Sequence, residues 1–288
     1  MSPLVESRIA VIGAGVMGEA MIAGLLERRL VAPSAIAASH PRADRRKDLE
    51  QEHGIHAFAG NSDAARDSDV VVLAIKPQLL RRVVPELKGA IRPDTLVLSI
   101  VAGAPTQAIC AGLEHEAVIR AMPNTPSQIG CGVTVWSATP TVSPAHREKA
   151  RALLSALGRE FEVDDERFVA MATAVSGTGP TYVFLVMEAL IDSAVHLGFP
   201  RHLAHDLVLE TLAGSVAFAQ RSGKHPSQLR DMVTSPGGTS AAAMHELERG
   251  RLRTVLADAV WAAYRRTVSL SESLSAGAEP EPMPPAAR

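Results

Sequence analysis

Three glycines spaced Gly13-x-Gly15-x-x-Gly18 stand between the apolar run Arg8–Ile12 and a helical pattern that covers Glu19–Arg29. Each has a separate physical task. Gly13 permits a tight turn off the strand, Gly15 lets the backbone approach a pyrophosphate, and Gly18 lets the helix pack on the sheet. Val16 and Met17 fall at the start of that helix, where free N–H groups and the helix dipole favour anions. A strand before the glycines and a helix after them is the context that predicts dinucleotide binding.

The next strand end chooses between dinucleotides. It reads Ala38-Ser39-His40-Pro41-Arg42, with no carboxylate before Asp44. A site for an unphosphorylated ribose usually presents Asp or Glu there. Here Ser39 offers a hydroxyl and Arg42 a guanidinium, with His40 between them, and both suit a 2′-phosphate. NADP(H) is therefore favoured, with NAD(H) as an accepted alternative. A second candidate anion site is Ser235-Pro236-Gly237-Gly238-Thr239-Ser240. Two glycines ahead of a helix expose backbone N–H groups, and Thr239 and Ser240 add hydroxyls, which together suit a carboxylate. A capped glycine turn would read the same way.

These residues need a scaffold, and the first half of the chain supplies strands that alternate with helices. Arg8–Ile12, Ala35–Ser39, Val70–Ile75, Thr95–Ile100 and Ala117–Ala121 read as strands, with Val133–Trp136 as a further one at the edge. Such alternation predicts parallel βαβ units in a doubly wound sheet. Beyond about Phe161 the strand signals stop. Phe168–Thr173, Thr181–Leu197, His202–Ser222, Ala241–Glu248 and Leu252–Ser271 carry helical periodicity. The expected fold is thus α/β, an N-terminal Rossmann-type domain over residues 1–163 followed by an all-α domain over 164–274. The Pro-rich residues 275–288 contain no core pattern and are expected to be a disordered tail.

Composition narrows the class. The 288 residues carry 29 Lys+Arg against 31 Asp+Glu, a net charge of −2 that argues against a dedicated nucleic-acid binder. Two cysteines, Cys110 and Cys131, cannot staple a chain this long and fit a reducing compartment as small packing residues. The N-terminal MSPLVESR lacks the pattern of a secretory signal, so the cytoplasm is expected. Tyr182–Phe199 is apolar enough to suggest a membrane span, but Glu188, Asp192 and His196 stand inside it. A charge at a bilayer centre costs about 2.5–3.5 kcal/mol on insertion scales. A helix buried in a core or between subunits is the better reading.

Four further segments converge on one family. They are Ala74-Ile75-Lys76-Pro77-Gln78, Arg120-Ala121-Met122-Pro123-Asn124-Thr125-Pro126, Ser176-Gly177-Thr178-Gly179-Pro180-Thr181-Tyr182, and His225-Pro226 leading through Leu229-Arg230-Asp231 to Ser240. Taken together, in this order from about Arg8 to Glu272, they resemble pyrroline-5-carboxylate reductase. The resemblance implies NAD(P)H-dependent reduction of a cyclic imino acid to proline. It implies that Ala74, Lys76, Pro77, Ala102, Met122 and Asn124 border the dinucleotide, with Asn61 near its adenosine. It implies that Ser235, Gly238, Thr239 and Ser240 take the substrate carboxylate, with the Thr173 hydroxyl close to the imine. A homodimer of helical domains is implied as well, assembling further, up to decamers.

The chain departs from the family pattern in places. Thr178 and Thr181 replace a Ser and an Ala, Ser240 replaces a Thr, and Glu210 stands where Gln is usual. If Glu210 is buried at the dimer helices it needs a partner or a raised pKa. These changes touch the choice of imine, five-membered or six-membered, more than the reaction. An imine that arrives protonated is its own electrophile, so orientation suffices without a strong general acid. A hydroxyacid dehydrogenase would need a lysine acid/base, yet no Lys occurs between Lys149 and Lys224. A non-catalytic NADP-binding regulator is the rival from another class. His202-x-x-His205 has no third ligand to make a metal site, and Asp164-Asp165-Glu166 reads as a solvated linker or helix start.

Overall fold

The computed structural model describes residues 2–276; most of the tail expected at 275–288 lies outside the described residues. Eight strands form one sheet in the order β3-β2-β1-β4-β5-β6-β7-β8. They are β1 (Ile9–Ile12), β2 (Ile36–Ser39), β3 (His56–Phe58), β4 (Val70–Leu73), β5 (Leu96–Ser99), β6 (Val118–Met122), β7 (Gly132–Ala138) and β8 (Gly158–Glu162). The first six pair in parallel, β1 aligning Ile9 with both Ile36 of β2 and Val70 of β4. The sheet then turns over: β7 runs antiparallel to β6, and β8 runs parallel to β7. Val133–Trp136 therefore lies inside the sheet and not at its edge.

Both edges are strands that the hydrophobic pattern does not announce. β3 has only three residues, and β8 (GREFE) alternates exposed with half-buried positions. β8 also depends on a close approach that composition hides. Gly158 has φ +135°, and a Cβ there would lie 2.1 Å from the carbonyl oxygen of its partner Gly132.

Residues alternate between the two sheet faces with the period of a strand. On one face Ile9, Val11, Val70, Val72, Leu96 and Leu98 pack under α1 (Val16–Glu27) and α6 (Pro144–Ser155). On the other, Ala10, Ile12, Val71, Leu73 and Val97 meet α4 (Leu80–Leu87) and α5 (Thr106–Leu113). The short α2 (Ala43–His53) and α3 (Asn61–Ala65) follow β2 and β3.

An ion pair with a buried arginine fixes where the helical part of the chain begins. Glu166 takes the amide of Thr106 at 2.9 Å, the Thr106 hydroxyl at 2.7 Å, and Arg120 Nη1 at 2.8 Å. The carboxylate thus caps the first turn of α5 and neutralises an arginine on β6 whose side chain is 5% exposed. The expectation of a solvated acidic run fails at this residue. Asp165 accepts from the Arg167 amide at 2.8 Å and marks the start of α7 (Arg167–Ala172), as a helix start should.

Residues 2–178 and 262–276 form one compact unit, and residues 179–261 another. The second contains α8 (Gly179–His196), α9 (Arg201–Ser222), α10 (Pro226–Met232) and α11 (Thr239–Arg249). The last helix, α12 (Leu252–Ala276), contributes Leu274 to the second core cluster of the sheet unit, and it runs through residues 275–276, where a tail was expected. Cys110 and Cys131 are both free. Burial raises the Cys110 thiol pKa, with Glu116 and Glu166 adding to the shift, whereas Cys131 is exposed and is not the packing residue expected.

Two stability outcomes follow. Gly158→Ala places a Cβ against Gly132 at a positive φ and is expected to cost about 3 kcal/mol or more, read as a lower denaturation midpoint. Glu166→Ala leaves Arg120 buried without its counter-ion, with an expected cost of about 3–5 kcal/mol in urea unfolding.

Candidate cofactor and substrate site

Because β1, β2, β4, β5 and β6 are parallel, the loops after them share one edge of the sheet, and the strand order reverses between β1 and β4. Open α/β sheets bind ligands at such a switch point. A cleft of about 370 Å³ opens there, lined by Gly13, Gly15, Ser39, His40, Asn61, Ala74 and Lys76 among others.

The turn after β1 is shaped as its glycines predict. Gly13 has φ +86°, and a Cβ on it would lie 2.5 Å from Ile75 Cγ2. At Gly18 a Cβ would meet the Gly13 carbonyl oxygen at 3.0 Å, where α1 crosses the turn. Gly15, the N-cap of α1, is different: nothing lies within 4 Å of the Cβ it lacks. No side chain caps that helix, so its first N–H groups, those of Val16, Met17 and Gly18, lack an intrahelical or capping acceptor. Open space beside uncapped N–H groups fits a pyrophosphate.

Ser39 is placed at the site but not in the role its hydroxyl suggested. It is 1% exposed, and its Oγ donates to Asn61 Oδ1 at 2.7 Å. It also accepts the Gly13 amide, at 3.3 Å. The residue braces the turn in place of offering a free donor. Arg42 is likewise engaged, in an ion pair with Asp44 that holds the Asp44 carboxyl at about 2. It does not line the cleft. Burial lowers the His40 pKa, outweighing the Arg42 backbone hydrogen bond that raises it, and nearby Arg45 and Arg42 add to the fall. Arg82 and Glu86, both on α4, line the cleft and have no counterpart in the sequence reading. Their only signal is the i, i+4 spacing of opposite charges after the Lys76-Pro77 turn.

The remaining candidates sit on adjoining loops. Pro77 opens a short 3₁₀ turn for which Lys76 is the N-cap, and Ala102 lies half-buried just beyond β5. Asn124 is a clip. Its Oδ1 accepts the Val133 amide at 2.9 Å, and its Nδ2 donates to the Ser176 carbonyl at 3.0 Å. Met122 packs against Gly177, where a Cβ would fall 2.9 Å from its terminal methyl. Both residues therefore hold Thr173–Gly177, which is a π-helical turn between α7 and α8. Thr173 opens it, and its hydroxyl donates to the Val169 carbonyl at 3.0 Å. Such π-turns recur at functional sites, and the widened period is invisible to a 3.6-residue pattern.

The second unit holds Ser235, Gly238, Thr239 and Ser240. Gly237 takes φ +72°, and Gly238 is the N-cap of α11, donating its amide to the Ser235 carbonyl at 3.0 Å. A Cβ on Gly238 would lie 2.6 Å from Ser235 Oγ. No side chain caps α11, so the first N–H groups of the helix are available to an anion. Glu210 is exposed on α9 within the chain, and His202 and His205 are exposed on the same helix, His205 pairing with Asp206. Among the described residues, Glu19, Glu52 and His53 bring ligand atoms within 4.8 Å of one another, but Arg45 already occupies Glu19.

Comparison with known proteins joins the two regions. A family model described as pyrroline-5-carboxylate reductase dimerisation matches residues 166–270, and one described as NADP oxidoreductase, coenzyme F420-dependent, matches residues 8–103. The pyrroline-5-carboxylate reductase of Synechocystis sp. is 42% identical over 92% of this chain and 98% of its own length. This chain belongs to the pyrroline-5-carboxylate reductase family. Among solved structures of that family, the Coxiella burnetii protein is similar with a TM-score of 0.84 at 35% identity, covering 92% of this chain and 98% of that one. The Plasmodium falciparum protein, whose structure has NADP bound, gives a TM-score of 0.85 at 27% identity over the same shares of the two chains.

The open space at Gly15 supplies a test. Gly15→Val is expected to leave the denaturation midpoint within a few degrees while weakening NADP⁺ binding at least tenfold in a fluorescence titration. A loss of stability equal to that of a core mutation would show that the space is needed for folding and not for a ligand.

Proposed function

We propose that this chain reduces the C=N bond of 1-pyrroline-5-carboxylate to give L-proline, using NADPH and accepting NADH as well. What carries the reading is membership of the family along nearly the whole length of a curated relative, so that it spans both the glycine-turn cleft and the helical region. The reduced nicotinamide, when bound, supplies the hydride.

The chain's own residues bind and orient. Gly13, Gly15 and the start of α1 hold the pyrophosphate, while Asn61, Ala74 and Lys76 line the same cleft. The α11 N-terminus, with Ser235, Gly238, Thr239 and Ser240, receives the substrate carboxylate on N–H and hydroxyl donors, with no arginine required. Thr173 is the hydroxyl assigned to the imine. Its proton is committed to Val169, so in this rotamer the oxygen can only accept. That suits a protonated imine N–H, and it agrees with a reaction in which the substrate brings its own proton.

The reading includes a homodimer, assembling further to a decamer, in the cytoplasm, with residues 1–163 serving the cofactor and 164–274 the dimer. Support comes from the helical unit. Phe184, Leu185, Val216, Phe218 and Trp261 are each more than half exposed within one chain. Large apolar patches of this kind mark interaction surfaces. The helical run Arg167–His196 is also long and apolar enough to cross a membrane by length and composition. Glu188 and Asp192, and the pairing of Asp192 with Arg201 at 3.0 Å, favour a subunit interface over lipid.

The decisive assay follows NADPH oxidation with pyrroline-5-carboxylate and piperideine carboxylate side by side, with proline measured as product. Saturable turnover of the five-membered ring is expected. Turnover of the six-membered ring alone would keep the chemistry and replace the substrate. NADPH binding without turnover of either would replace the enzyme with a nucleotide-binding regulator. In sedimentation the protein is expected as a multiple of its 30.4 kDa chain, and a monomer would overturn the dimer.

A further inference from the structure

The end of β2 offers no carboxylate to a ribose, but the cleft contains one from elsewhere. Glu86, in the last turn of α4, lines it together with His40, Pro41, Asn61 and Arg82. Glu86 Oε2 accepts from Asn61 Nδ2 at 2.5 Å, and Asn61 Oδ1 accepts from the buried Ser39 hydroxyl. One end of the amide donates and the other accepts, which fixes its orientation. Glu86 is thereby tied through Asn61 and Ser39 to the glycine turn itself. Its other oxygen faces Arg82, whose Nε stands 3.4 Å away with the side chain 80% exposed. That separation is longer than a charge-assisted hydrogen bond, so the guanidinium can leave Glu86 for a better acceptor.

The other guanidinium groups near this end are committed. Arg42 pairs with Asp44, Arg45 with Glu19, and Arg46 Nη1 donates to the carbonyls of His40 and Pro41 at 2.9 Å each. Burial disfavours the charged form of His40. Opposite charges on one turn of α4 thus face the cleft, where Lys76 is the other charged residue of the lining.

We propose that Arg82 and Glu86 are the residues that set the choice between phosphorylated and free ribose 2′-hydroxyl, Arg82 favouring the phosphate and Glu86 opposing it. The proposal rests on the reading of this cleft as a nicotinamide dinucleotide site. A phosphate dianion drawn to Arg82 meets the field of a carboxylate one helical turn away, and this repulsion lowers its affinity. A free hydroxyl can instead donate to Glu86. The pair makes the cleft tolerant of both dinucleotides, where Arg82 alone would make it select for one.

The experiment titrates 2′,5′-ADP and 5′-AMP into the wild type, Glu86→Gln and Arg82→Gln by calorimetry. The glutamine at 86 removes the charge and keeps an acceptor for Asn61. Glu86→Gln is expected to tighten 2′,5′-ADP about fivefold or more while 5′-AMP does not tighten. Arg82→Gln is expected to weaken 2′,5′-ADP about tenfold and move 5′-AMP less than twofold. The ratio of kcat/KM for NADPH over NADH should rise in the first variant and fall in the second. Equal changes for both nucleotides, or no change in either variant, would overturn the proposal. Should Glu86→Gln fail to fold, the exposed Arg82→Gln decides it. Nucleotide binding needs no imine, so a protein without reductase activity still answers this question.

Discussion

The turn after β1 depends on Ser39. The Ser39 carbonyl accepts the amides of Gly13 and Ala14 at 3.2 and 3.1 Å, and its hydroxyl joins Gly13 to Asn61. A glycine turn alone would have too much freedom to hold its N–H groups in one direction. Here the neighbouring strand anchors it from one side and α3 from the other. The hydroxyl is almost wholly buried, so each bond it makes excludes water, and losing a partner would strand a polar group at a cost of about 1–3 kcal/mol. The anion cradle, the opening of α1 and the orientation of Asn61 all follow from this one residue.

A second set of constraints reaches the far end of the site by a different route. Glu166 joins α5, β6 and the start of α7, and Asn124 joins β7 to the π-helical turn. Thr173 therefore stands on a segment held at both ends by part-buried polar contacts. This divides the labour plainly: apolar side chains build the sheet and its two faces, while a few polar side chains decide where the functional loops sit. Arg120 illustrates the tension in such an arrangement, since its Nη2 is buried without a hydrogen-bond partner while Nη1 is satisfied.

Much of this was legible in the sequence, for identifiable reasons. β1, β2, β4, β5 and β6 are apolar runs bounded by turns, and the glycine spacing stated its own chemistry. β3 and β8 escaped because one is three residues long and the other is an edge strand made by a Gly–Gly approach. The Ser39 hydroxyl, read as a donor to a 2′-phosphate, bonds Asn61 and Gly13 within the chain, a direction that a hydroxyl in a sequence does not carry. Arg82 and Glu86 were missed because a helix after the third βα loop contributes to the cleft only once the sheet has folded. Glu210 is exposed within one chain, so any burial of it belongs to the dimer helices.

α12 returns the end of the chain to where it began. Leu274 fills the core beside Ile109 and Leu113, and Gly103 must lack a side chain because Leu270 lies 3.0 Å from where its Cβ would be. On the ribosome, then, the cofactor-binding layer is synthesised early yet stays unfinished until α12 emerges. A nascent chain stalled before Ala262 would present that apolar seam to chaperones.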